Sequence, residues 1–343
     1  MFMKKGLRMI THYLLTGILA LIGALLFDWL HMPMPWLLGP LFTTMVLRLA
    51  TPLPIAWHKE LRNLGLVLAG YSIGVSFTTD AFAAARGFLP LMIAINVFYI
   101  GLFVALSKLI VHRTHVDTLA ALTSTVPGGM TQITAYAAEK KSKHMTMITF
   151  YQVLRVLCLL SIVPVLLSVG AMPEAPQHIP FSVELLGMIV LSFVAGIIAD
   201  KLRVPTGYLL GPVILLMMLQ IFGMRVPLLP PDALHIAQLL IGVFIGMLLR
   251  KEDLRLSKKV MLYGFISAFV YIGSAYVLAL IIPRYYSIDF TTAFLSTIPG
   301  GLDQMGLIAM AAGADVTLVT MFQLFRVLVV SLLVVPALKM FTK

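Results

Sequence analysis

Twelve apolar runs, separated by short polar breaks, organise this chain. They cover residues 10–27, 34–50, 62–79, 87–111, 118–138 and 146–169, then 181–199, 207–223, 234–249, 260–283, 290–312 and 317–338. At about 1.5 Å per residue, most are long enough as helices to cross a hydrocarbon core of roughly 30 Å. The shorter ones are expected to begin with broken or tilted turns. The breaks hold no low-complexity tract and no soluble domain. A Pro-rich turn segment at 170–180 separates the sixth run from the seventh.

The second six runs repeat the first six. Ser124-Thr-Val-Pro-Gly-Gly129 returns as Ser296-Thr-Ile-Pro-Gly-Gly301, and Leu37-Leu-Gly-Pro40 returns as Leu209-Leu-Gly-Pro212. Gly70-x-x-x-Gly74 returns as Gly242-x-x-x-Gly246, and Asp28 as Asp200, always 172 residues on. A chain of 343 residues is therefore two copies of one unit, 1–171 and 172–343.

Composition agrees with membrane runs. The chain is 60% hydrophobic and 11% charged, against about 25% charged in a soluble domain. The net charge of +11 reads as cytoplasmic Lys and Arg, since no basic, aromatic-interleaved segment is long enough for a nucleic-acid module. Cys158, the single cysteine, excludes an intrachain disulfide and reads as packing. The basic N-terminus followed by an apolar run is expected to be the first membrane helix, because its counterpart at 181–199 lies mid-chain. Trp29, Trp36 and Trp57 fall near predicted helix ends, where interfacial anchors sit.

Charge also orders the runs. The fifth of each copy carries Pro-Gly-Gly at its centre, a sequence that removes a backbone donor and permits a chain reversal. If all twelve runs span, with the N-terminus cytoplasmic, loop Lys and Arg split 12 inside against 11 outside. If 118–138 and 290–312 are instead re-entrant hairpins, the split becomes 20 against three, Arg86, Arg225 and Arg284. The positive-inside rule prefers the second arrangement. The expected fold is an all-α integral membrane protein with both termini inside. Each repeat has five spans and one hairpin, and the second repeat is inverted relative to the first. The competing reading of Pro-Gly-Gly is a plain kink in a packed helix.

Non-helical backbone at membrane depth must be buried in protein or line a wet cavity, and its free N–H and C=O groups are natural ligands. The expected substrate or ion site therefore includes Ser124, Thr125, Gly128, Gly129 and Gln132, with Ser296, Thr297, Gly300, Gly301, Asp303 and Gln304. Gln152 and Arg155 share one face of the last helix of the first copy, and Gln323 and Arg326 repeat the pair. A guanidinium at that depth needs a partner. It either recognises an anionic substrate bidentately, or it clamps hairpin carbonyls or pairs with Asp303. Asp303, opposite Thr131 by the repeat, reads either as a proton or cation site or as the neutraliser of an arginine. Glu139 and Asp315, at the hairpin exits, are expected to be solvated. The Gly-x-x-x-Gly pairs read as close helix packing, with unwinding at a site as the alternative. The eight histidines fall in predicted loops or at helix ends, with no clear third ligand beside His112 and His115, so no metal site and no cofactor is expected.

The duplicated Leu-Leu-Gly-Pro, Gly-x-x-x-Gly, Pro-Gly-Gly-(Met/Leu)-x-Gln and Gln-x-x-Arg-Val-Leu motifs cover nearly the whole chain. In these the chain resembles the membrane AbrB-duplication family, which also carries the label ammonia monooxygenase. It is distinct from the soluble DNA-binding regulator of the same name. The resemblance implies an inner-membrane protein linked to regulation of gene expression, with a fold similar to the cation/proton antiporter and anion transporter group.

Three functions follow as expectations. The first is a secondary transporter or exporter of a small, potentially anionic metabolite, coupled to H⁺ or Na⁺. The second is a membrane-bound regulator acting indirectly through metabolite flux or a partner. The third, which the histidine pattern disfavours, is a metal-dependent monooxygenase. No enzyme activity and no nucleic-acid partner is expected. The partners are lipid, the substrate and the coupling ion, and a homodimer is left open.

Overall fold

Local sequence sets where each helix starts and stops in the computed structural model, which describes residues 2–77, 86–128, 130–140, 142–167 and 182–341. The first copy gives α1 (Phe2–Trp29), α2 (Pro35–Ala50), α3 (Lys59–Val75), α4 (Leu89–Thr114), α5 (Thr118–Thr125), α6 (Met130–Glu139) and α7 (Met145–Leu166). The second gives α8 (Val183–Lys201), α9 (Gly207–Ile221), α10 (Pro231–Gly246), α11 (Lys258–Ile281), α12 (Phe290–Thr297), α13 (Leu302–Ala311) and α14 (Val316–Val329). A π-helical turn at Val330–Val334 joins α14 to α15 (Val335–Phe341). Every regular element among the described residues is helical. The expected divider at 170–180 lies outside them.

The repeat is visible in the backbone as well as the sequence. After α1, His31 and Met34 take left-handed φ values of 52° and 47°; after α8, Arg203 and Thr206 take 59° and 50°. Met32 N–H donates to Phe27 O at 2.9 Å, and Val204 N–H donates to Ala199 O at 3.0 Å. The helix pairs α5/α12 and α6/α13 begin and end 172 residues apart.

Six helical stretches are long and apolar enough to cross a membrane: Met9–Trp29, Leu89–Thr114, Met145–Leu166, Val183–Lys201, Lys258–Arg284 and Val316–Leu338. In Met9–Trp29 and Val183–Lys201 only 22% of the hydrophobic window is buried. Their outward faces are thus apolar, as lipid-facing surfaces are. The other predicted spans form helices of 15 to 17 residues, α2, α3, α9 and α10. At about 1.5 Å per residue these reach roughly 25 Å, which explains why the shortest runs looked truncated.

The chain divides into two compact units, and neither coincides with one copy. One unit comprises Met1–Phe82, Val163–Arg250 and Gly306–Thr317; the other comprises Ala83–Ile162, Lys251–Met305 and Leu318–Lys343. Each copy therefore gives its first three helices to the first unit and its later elements to the second.

Within the first unit the glycine motifs are packing devices. Gly39 and Gly211 let α2 meet α1 and α9 meet α8, since an added Cβ would stand 2.4 Å from Gly23 O and 2.5 Å from Ala195 O. The Gly-x-x-x-Gly helices then cross between copies. A Cβ on Gly70 of α3 would stand 2.4 Å from Leu209 O of α9, and one on Gly242 of α10 would stand 2.4 Å from Leu37 O of α2. Two backbones thus touch wherever the motif occurs, and the packing reading of these glycines holds. Trp57 Nε1–H donates to Leu240 O at 3.2 Å, and Trp36 stacks on His235 with centroids 5.0 Å apart.

Candidate functional site

Both Pro-Gly-Gly sequences interrupt helices inside the second unit. Asp117 caps α5 by accepting from Ala120 N–H at 2.7 Å, and Asp289 caps α12 by accepting from Thr292 N–H at 3.0 Å. Both helices last eight residues. Val126 and Ile298 then leave helical geometry, with ψ of 122° and 131°. Pro127 and Pro299 follow and have no N–H to donate. Gly128 takes φ +99°, a value that side-chain-bearing residues rarely adopt. The backbone here is buried, so its carbonyls require partners.

The last helix of each copy supplies them. Gln152 Nε2 donates to Thr123 O at 3.0 Å and to Val126 O at 3.3 Å, while Arg155 Nη1 donates to Val126 O at 2.9 Å. Gln323 Nε2 donates to Leu295 O at 2.7 Å and to Ile298 O at 3.1 Å, while Arg326 Nη1 donates to Ile298 O at 3.0 Å. In each pair the second guanidinium nitrogen donates to the glutamine Oε1, so one side chain orients the other. Arg326 Nη2 also reaches Gly300 O. The terminal nitrogens of both arginines are thus spent on clamping backbone, the structural alternative weighed for them. Their Nε–H groups are buried without a partner.

Threonine and tyrosine complete the frame. Thr125 Oγ1 lies 3.2 Å from Phe103 O of α4, and Thr297 Oγ1 lies 3.4 Å from Ala275 O of α11. The Tyr271 hydroxyl, on α11 of the second copy, donates to Thr125 O of the first at 2.6 Å. Its repeat partner Tyr99 lies with ring centroids 6.0 Å away. The copies also meet at Arg326, whose Nε would lie 3.6 Å from a Cβ on Gly128. Ser124 and Ser296 are each 2% exposed, and neither hydroxyl has a hydrogen-bond partner.

The second unit therefore gathers Ser124, Thr125, Gly128, Gln152 and Arg155 around one break. It gathers Ser296, Thr297, Gly300, Gln323 and Arg326 around the other. Gly301, Asp303 and Gln304 follow at the start of α13, where a helix N-terminus favours a carboxylate. Asp303 is 6% exposed, and Gln304 Nε2 donates to its Oδ2 at 3.1 Å. Gly129 and the side chain of Gln132 lie outside the described residues. Glu139 and Asp315 are exposed, and Cys158 is buried. His12 lies within α1 rather than at its end, because that helix begins at Phe2. Among the described residues no three His, Cys, Asp or Glu side chains converge as a metal site would require. Sequence reasoning missed Tyr99 and Tyr271; the available signal was a tyrosine recurring at the repeat distance inside two otherwise apolar helices.

Known proteins place the whole chain. A protein of Escherichia coli (strain K12) named "Putative regulator AbrB" is 29% identical over 335 residues, covering 94% of both chains. A Bacillus subtilis (strain 168) protein named "Uncharacterized protein YhjN" is 22% identical over 336 residues, covering 88% of this chain and 85% of its own. The model of the family described as "Transition state regulatory protein AbrB" matches residues 36–342. The chain belongs to the AbrB family, in its all-helical, membrane-type form.

Proposed function

We propose that this protein is a secondary transporter or exporter of a small anionic metabolite in the cell membrane, coupled to H⁺ or Na⁺. Each copy would cross five times and insert its Pro-Gly-Gly segment as a re-entrant hairpin, with the second copy inverted and both termini inside. The observation that carries this reading is the pair of clamped breaks. Non-helical backbone is held open in the interior by Gln152/Arg155 and Gln323/Arg326, while two serine hydroxyls and two guanidinium Nε–H groups beside it stay uncommitted. A fold that only needed stability would have no use for buried, unpaired donors. Broken helices with such free groups suit a midplane substrate site.

The test begins with a thermal-shift screen of the detergent-solubilised protein against metabolite anions across pH and Na⁺, followed by flux of the stabilising compound into proteoliposomes. The Ser124→Ala/Ser296→Ala variant removes only uncommitted hydroxyls, so it should fold normally and lose about tenfold in flux. Unchanged flux in that variant and in one altered at both Arg155 and Arg326 would remove the site.

The name of the Escherichia coli relative supports a second reading, a membrane-bound regulator. A regulatory effect that survives in a flux-dead variant would favour it.

A further inference from the structure

The two copies differ by one residue at a place that matters. The glutamine–arginine pair recurs after 171 residues, whereas the proline beyond it, Pro164 and then Pro336, recurs after 172. Nine steps separate Arg155 from Pro164, and ten separate Arg326 from Pro336. The extra residue sits in a continuous helix, and a helix absorbs one inserted residue as a π-bulge, a feature frequent at functional sites. The π-turn at Val330–Val334 is that bulge, whereas α7 runs as α-helix through the corresponding stretch.

A small cavity opens against the bulge, entirely within the second unit. Val330 and Val334 form one wall, Phe103 of α4 and Pro127 of the first break form others, and Asn96, Tyr99 and Arg326 supply its polar surface. No acidic side chain lines it. Arg326 Nε–H and the Tyr99 hydroxyl are both buried without a hydrogen-bond partner. Ser274 is the hydroxyl nearest Tyr99, but its own proton goes to Tyr271 O at 2.9 Å. Asn96 Nδ2 is anchored on Met92 O at 2.8 Å. Gly128, with no side chain, leaves the approach to Arg326 Nε open.

A water would satisfy such donors only by offering acceptors, and the fixed positive charge would still face apolar walls. A compact anion satisfies charge and donors together. We infer that this cavity holds the carboxylate head group of the transported metabolite, and that the one-residue insertion makes the site single rather than duplicated. This rests on the transporter reading, which supplies the metabolite. The cavity has room for roughly one water-sized group, which suits a carboxylate better than a tetrahedral phosphate.

The test uses purified full-length protein in detergent, titrated with formate, acetate, chloride and phosphate at constant ionic strength. Binding is followed by calorimetry and by the melting midpoint. Formate and acetate should bind saturably, with phosphate about tenfold weaker or worse. Tyr99→Phe removes one unpartnered hydroxyl. It should weaken carboxylate binding about tenfold while leaving the anion-free midpoint unchanged or higher. Full binding in Tyr99→Phe would overturn the assignment, as would a lowered anion-free midpoint, since the hydroxyl would then be structural. Saturable chloride binding without carboxylate binding would overturn the head-group assignment in favour of a free halide, and no saturable binding would overturn the site. Carboxylate binding that Tyr99→Phe weakens, without flux in liposomes, keeps the site and sinks the transporter. Flux indifferent to Tyr99→Phe does the reverse.

Discussion

Replacing Arg326 with leucine should destabilise the protein by roughly 2–6 kcal/mol, about twice the cost of the same change at Arg155. The argument counts acceptors. Without Arg326, Ile298 O keeps Gln323 Nε2, but Gly300 O and Gln323 Oε1 lose the guanidinium. Without Arg155, Val126 O keeps Gln152 Nε2, and only Gln152 Oε1 is stranded. Each stranded buried acceptor costs about 1–3 kcal/mol. Both variants also shed one buried cation, whose desolvation opposed folding, so that contribution cancels in the comparison. Reversible unfolding of the two variants in mixed micelles, or their melting midpoints read by size-exclusion, checks the order. Equal losses would mean that the Gly300 carbonyl does not depend on Arg326.

Gly242→Ala and Gly70→Ala should each cost about 1–3 kcal/mol or more, and Gly242→Ala/Gly246→Ala should leave little folded protein. An alanine Cβ would stand 2.4 Å from Leu37 O in the first case and 2.4 Å from Leu209 O in the second. At Gly246 it would meet Leu41 O at 2.2 Å and Thr44 Oγ1 at 2.3 Å. These neighbours are largely backbone and cannot rotate away, so the helices must separate along the crossing. Gly101, in α4, is the control: nothing lies within 4 Å of its added Cβ. Gly101→Ala should be neutral or stabilising by up to about 1 kcal/mol through helix propensity. A Gly242→Ala variant that melts with the parent would remove the close crossing of α2 and α10.

Much of this was legible in the residues, for physical reasons. Apolar run length marks helix ends because loops at a membrane surface are polar, and α1 to α14 follow the runs closely. Pro-Gly-Gly marked both breaks, since no other local sequence combines a missing donor with a permitted positive φ. Spacing put Gln152 with Arg155 on one helix face, but spacing cannot say what that face meets. The choice between ligand and clamp therefore waited for Val126 O and Ile298 O. Tyr99 and Tyr271 were hidden because an aromatic ring in an apolar helix is usually packing; only the hydroxyl's partner separates the two roles. The interleaved units were hidden more deeply, because contacts such as Gly70 to Leu209 O join helices far apart in the chain. The one-residue slip from 171 back to 172 was countable, yet it acquires a meaning only beside the π-turn.

The most direct test of the inverted, two-hairpin arrangement is thiol accessibility. In a Cys158→Ser background, Lys140→Cys and Arg203→Cys should resist a membrane-impermeant maleimide in intact cells and react after permeabilisation. Arg225→Cys and Arg284→Cys should react in intact cells. Labelling of position 140 or 203 from outside would make 118–138 an ordinary span, and would leave the clamped breaks without a re-entrant role.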